Sequence, residues 1–138
     1  MICDRRRNLA CQVAWSLLGT FYKWGGDDPS GFDCSGLIVE ILKAVGILER
    51  QRDATAEELS RMYSGVLKPY KGCLVFYDIP IRHVEFCLDG EFAIGASGGG
   101  SNTLTIEDAI KNNAYVKIRP IKRERIIAGY VDPFKKNV

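Results

Sequence analysis

Apolar residues return every three or four positions along the first third of the chain, and afterwards they fall into short runs of strand length. Leu9, Val13 and Leu17, flanked by Ala10 and Ala14, predict an amphipathic helix over 4–19, with Asp4 placed to cap its first turn. Leu37, Ile38, Ile41, Leu42 and Val45 form a second stripe that Gly46 closes, so Cys34 stands at the start of that helix. Thr55 and Glu58 have capping-box spacing before a short third helix over 55–63. From Lys71 onward the runs 73–77, 83–88, 91–95, 115–119 and 126–131 have strand length. Asp89-Gly90 offers a tight hairpin turn, Thr105 to Lys111 a helical turn or two, and Gly98-Gly99-Gly100-Ser101 reads as a flexible loop. Helices first and antiparallel strands later predict the α+β class: N-terminal helices packed against a central antiparallel sheet of about five strands.

Length and composition narrow this to one unit. At 138 residues and 46% apolar content the chain buries one substantial core, so residues 1–138 are expected to form a single domain. No run approaches a membrane span, and the amino terminus lacks the succession of a signal peptide, so the sequence names no export route. Five cysteines, at 3, 11, 34, 73 and 87, contain no C-x-x-C pair and predict reduced thiols. With a single histidine and thiols far apart, no metal site is expected. The net charge of +2 is modest, and the clusters Arg5-Arg6-Arg7 and Lys122, Arg123, Arg125 read as solvated surface rather than as a nucleic-acid footprint.

Residues 22–37, YKWGGDDPSGFDCSGL, carry the chemistry. A nucleophilic thiol needs access, an environment that favours its anion and a nearby base. A helix amino terminus supplies backbone donors and a favourable dipole for Cys34. Asp33 adds no positive field and is better suited to capping nearby amides. Glycines at 25, 26, 31 and 36 let a peptide carbonyl approach. His83 is the only histidine, so composition forces the choice of imidazole base. In R82-H83-V84-E85-F86-C87-L88 it shares the less apolar face of a strand with Glu85 and Cys87. These groups suit acyl transfer: Cys34 attacks an amide carbonyl, His83 moves the proton, and the Cys34 amide and the Tyr22 hydroxyl are candidates for stabilising the oxyanion, with core packing or pinning of the turn as the other roles open to Tyr22.

At these residues the sequence resembles the NlpC/P60 family of papain-like cysteine peptidases. The resemblance lies in G19-T20-F21-Y22-K23-W24-G25-G26, S30-G31-F32-D33-C34-S35-G36-L37, G72-C73-L74-V75-F76 and His83-Val84, and it spans roughly residues 8–96. It implies the nucleophile role for Cys34, the general-base role for His83, a supporting role for Tyr22, and turn-shaping roles for Asp33 and Ser35. It also implies hydrolysis of an amide in peptidoglycan stem peptides, commonly between D-glutamate and a diamino acid, through a thioacyl-enzyme and without a cofactor. A noncatalytic wall-binding or phage-tail assembly module, or a related amidase or acyltransferase, is the alternative. The site of action is left open between cytoplasmic and phage- or virion-associated, at the cell wall. Two positions depart from the family pattern. Cys73 stands where an acidic residue is common and reads as a packing residue. In I94-G95-A96 a glycine replaces the polar side chain that usually orients the histidine from the following strand, leaving Ser97, Asn102 and Glu85 as candidates.

Overall fold

A computed structural model describes residues 2–23, 27–28, 31–97 and 103–135. In chain order the elements are α1 (Ile2–Ser16), β1 (Asp27–Asp28), β2 (Gly31–Phe32), α2 (Cys34–Ala44), α3 (Ala56–Met62), β3 (Ser64–Val66), β4 (Leu74–Tyr77), β5 (His83–Cys87), β6 (Phe92–Ser97), α4 (Ile106–Lys111), β7 (Tyr115–Pro120) and β8 (Ile127–Asp132). The main sheet has six strands in the order β3-β8-β4-β5-β6-β7, all neighbours antiparallel, and β1 and β2 form a separate two-stranded hairpin. This is the α+β arrangement that the pattern of apolar runs predicts, with one more strand than expected. The additional strand is β3, whose Ser-Gly-Val sequence is too short to show alternation.

Local chemistry accounts for most element boundaries. Thr55 caps α3 reciprocally with Glu58, as its spacing predicts, and Thr105 does the same for α4 with Asp108. Two turns differ from expectation. The first helix already contains Asp4, which therefore lies inside it and does not cap it. Between β5 and β6 the Asp89 carboxylate accepts the Glu91 and Phe92 amides, while the Leu88 amide donates to the Phe92 carbonyl. The connection is thus a side-chain-stabilised loop, longer than a two-residue turn. The loop expected at 98–101, and Gly25, Gly26 and Ser30, lie outside the described residues.

Both faces of the sheet are buried. On one face Leu74, Phe76, Val84, Phe86, Ile94 and Ala96 pack with the α2 stripe of Leu37, Ile38, Ile41 and Leu42. From α1 the core receives Ala10, Cys11 and Ala14, whereas Leu9 of the expected stripe is exposed. A smaller core on the opposite face holds Cys73, Val75, Tyr77, Cys87 and Ala93 beneath Ile121. Every residue of β5 is consequently buried, including the polar ones.

Residues of both basic clusters turn inward instead of solvating the surface: Arg7 in the first, and Arg123 and Arg125, paired with Glu85 and Asp78, in the second. Arg7 grips the Asp132 carboxylate through both terminal nitrogens at 3.1 Å and also donates to the Lys71 carbonyl, tying α1 to β8. Gly72 leaves room for this arginine. Its φ is +92°, and a Cβ there would fall 2.6 Å from Arg7 Cγ. Gly72→Ala is therefore expected to lower stability by more than about 1 kcal/mol, read as a shifted urea midpoint with unchanged slope.

Candidate active site

Asp33 builds the turn that presents Cys34. Its carboxylate accepts the Gly36 amide at 2.7 Å, its carbonyl accepts the Leu37 amide, and the Ser35 hydroxyl donates to it at 3.4 Å. Cys34 is then the first residue of α2, half-buried, with its Sγ 3.9 Å from the Arg82 carbonyl oxygen and in reach of the Val84 amide. The thiol lies against the backbone on both sides of His83.

The electrostatics differ from the helix-terminus expectation. Burial pushes the Cys34 thiol up, and the Asp33 carboxylate adds to the effect. The Val84 and Ser35 amides and the Arg125 charge pull the other way without reversing it.

Tyr22 is held beside it by the chain that follows α1. The Gly19 amide donates to the Val116 carbonyl and the Tyr22 amide to the Ala114 carbonyl, which stitches this segment to the edge of β7. The Tyr22 phenol is pushed up by burial, then by Cys34 and Asp33. Tyr22, Asp33, Cys34 and Ser35 line a cleft of about 440 Å³ together with Thr55, Ile81 and Arg82. Sequence reasoning did not place the last three there, since nothing in Thr55, Ile81 or Arg82 marks them locally as neighbours of Cys34.

His83 opens β5 and is 6% exposed. Its Nε2 lies 2.7 Å from Glu85 Oε2, and its ring centroid is 5.8 Å from that of Tyr77. The Glu85 carboxylate is 1% exposed and receives Arg123 at both oxygens, at 3.1 and 3.0 Å. Burial pushes Glu85 up, but the hydrogen bond and charge of His83, together with Arg123, hold it below the usual glutamate range. Of the other two candidate partners for the histidine, Ser97 accepts from Arg119 at 2.6 Å, and Asn102 lies outside the described residues. Cys87 shares this face as the alternation predicts; it and Cys73 are fully buried, with burial pushing both thiols up.

Arg123 was also missed by the sequence reading, having been grouped with solvated charges. A signal was present: an acidic residue in a strand with two buried faces requires a counterion.

The α+β scaffold sets a helix-start cysteine against the backbone of the strand that carries the chain's single histidine. Residues 19–120 match the NlpC/P60 family, to which the chain belongs. The match reaches past residue 96 and takes in β7. The chain is 35% identical over 118 residues to the probable peptidoglycan endopeptidase LytE of Bacillus subtilis, covering 81% of this chain and 32% of that protein. It is 37% identical over 86 residues to the probable endopeptidase p60 of Listeria welshimeri, covering 60% and 16%. The chain thus spans about a third or less of these relatives' length. Among solved structures, the NlpC/p60 domain of the peptidoglycan hydrolase SagA superposes with a TM-score of 0.69 at 25% identity, covering 91% of this chain and 97% of that one.

Proposed function

We propose that the chain is a cysteine endopeptidase that cuts an amide bond in peptidoglycan stem peptides. The observation that carries this reading is the Cys34 thiol at the mouth of a cleft, packed against the backbone that flanks the chain's single histidine. The names of its relatives, a peptidoglycan endopeptidase and a peptidoglycan hydrolase, support the substrate class.

Cys34 Sγ bonds to the amide carbonyl carbon as its proton passes to His83. The carbonyl oxygen becomes an oxyanion, which the Cys34 amide and the Tyr22 hydroxyl stabilise. Collapse breaks the C–N bond, His83 returns the proton to the departing amine, and a thioester remains on Cys34. Water then attacks the thioester, giving its proton to His83, and the thiolate leaves with that proton to restore the starting state. Asp33 holds the nucleophile turn throughout and takes no proton.

The test is time-resolved mass spectrometry of defined stem peptides incubated with the protein before and after alkylation mapped to Cys34. The expected result is one new amine and one new acid from the untreated protein, and neither after alkylation. Retention of wall material with every peptide left intact would replace the peptidase by a binding module.

A further inference from the structure

The glycine in I94-G95-A96 removes the side chain that would orient the histidine from β6, yet the space over Gly95 is not empty. A Cβ built on Gly95 would lie 2.5 Å from Glu85 Cγ and 2.9 Å from both Cδ and Oε2. Phe86 stands opposite Ile94 and Cys87 opposite Ala93, and the same register carried one step back sets Glu85 across from Gly95. The Glu85 side chain occupies the volume that a β6 side chain would need. From there its Oε2 meets His83 Nε2 at 2.7 Å.

A buried carboxylate stays ionised only with compensation, and Arg123 supplies it with a two-pronged contact. The guanidinium is fixed in turn: it donates to the Pro120 carbonyl at 2.8 Å and the Tyr77 hydroxyl at 3.1 Å, and lies 4.4 Å from the Tyr77 ring centroid. Tyr77 donates its own hydroxyl to the Ile121 carbonyl at 2.8 Å. The connection between β7 and β8 is thereby locked over the histidine strand.

We propose that Glu85, braced by Arg123 and admitted by Gly95, is the positioning residue of His83, delivered from the histidine's own strand instead of the next one. This rests on the reading of His83 as the base. An ionised carboxylate only accepts hydrogen bonds, so the ring nitrogen facing it carries the hydrogen. Nε2–H then points at Glu85, and Nδ1 keeps the lone pair that a thiol proton needs. The carboxylate also balances the imidazolium formed during attack, as a triad aspartate does.

Because the chain has one histidine, a ¹⁵N-labelled full-length protein reports that ring without assignment ambiguity. Measured under alkaline conditions where the ring is neutral, wild type is expected to show a protonated Nε2 and an unprotonated Nδ1. Glu85→Gly is expected to mix the tautomers and pull both shifts toward the average. A wild-type ring protonated at Nδ1, or an unchanged pattern in Glu85→Gly, overturns the assignment whether or not the protein cuts peptides.

Kinetics give a second, separable reading. Glu85→Gln keeps the shape and is expected to lower kcat roughly 100-fold with KM within about threefold, since orientation acts on the transition state and not on substrate capture. The exchange Glu85→Gly with Gly95→Asn is expected to exceed the kcat of Glu85→Gly at least tenfold, whereas Gly95→Asn alone collides with Glu85 and loses activity. Unaltered kcat in Glu85→Gln, or an exchange variant no faster than Glu85→Gly, refutes the positioning role. Absence of turnover in wild type alongside the expected tautomer pattern counts against the peptidase reading and leaves the orientation standing.

Discussion

Cys34→Ala is expected to lower the kcat of the proposed amide hydrolysis on the order of 10⁵-fold, while the thermal midpoint stays within about 2 °C of wild type. The two halves of this expectation have different physical origins. In the proposed mechanism Sγ supplies the bond-forming electron pair, and what remains without it is stabilisation of the oxyanion alone. Folding depends little on that atom, because the sulfur faces a cleft and its polar contact to the Arg82 carbonyl is a weak one at 3.9 Å. His83→Ala is expected to cost a similar factor, and the double variant no more than either single one, since nucleophile and base act as a unit. Amine release over hours, with circular dichroism melts alongside, checks all three proteins. Losses that multiply in the double variant would mean that Cys34 and His83 act in separate steps.

The second large effect concerns stability. Arg7→Met is expected to cost about 3–5 kcal/mol at neutral pH, as removing one partner of a buried pair does, and to lower Tm by roughly 10–20 °C. The Asp132 side chain is 2% exposed, and beside Arg7 it accepts the Tyr70 hydroxyl at 2.6 Å and the Phe134 amide at 2.9 Å. Burial pushes this carboxyl up, but the Arg7 and Tyr70 hydrogen bonds, the Phe134 amide and the Arg7 charge hold it below its ordinary value. A depressed folded-state value means that the unfolded chain takes up the proton first as pH falls. The stabilisation is therefore complete well above the unfolded value of about 4 and is lost as pH drops through the folded one. Urea titrations of wild type and Arg7→Met should differ most near neutrality and converge in acid. A gap that stayed constant down to pH of about 2 would show that Arg7 acts through packing alone.

These two sites show what was legible in sequence and what was not. Cys34 and its turn stood out because every determinant is local: the α2 stripe fixes the helix, Asp33 its cap, and the glycines the approach. The face shared by His83, Glu85 and Cys87 also followed from alternation within one strand. What covers that face did not follow. Ile121 and Arg123 arrive from the β7–β8 connection, and Arg123 lies 38 positions beyond Glu85 in sequence. A triplet of arginines looks alike whether it is hydrated or clamped, so the sequence could not tell Arg7 from the exposed Arg5 and Arg6. The first helix was legible in most of its stripe: Ala10 and Ala14 are fully buried and Val13 packs against the core, while Leu9 is exposed. Cys11 joins the buried side, where small residues allow close approach to the core. Gly95 was visible as a departure, but only its spatial neighbour turns a missing side chain into room for another.

The position of β8 has a consequence in time. Residues 127–132 occupy the slot between β3 and β4, and β4 is the strand on which β5 is hydrogen-bonded. A nascent chain halted before Ile127 would hold the thiol, the imidazole and the carboxylate while β4 still presented an unpaired edge. Pairing across such a sequence distance is slow to nucleate, and β8 must enter between two strands that precede it in the chain instead of adding to the sheet's rim. Cys34, His83 and Glu85 thus wait for β8 before they share a rigid frame. A thiol of this kind comes under full geometric control only once the ribosome has released the residues that brace it.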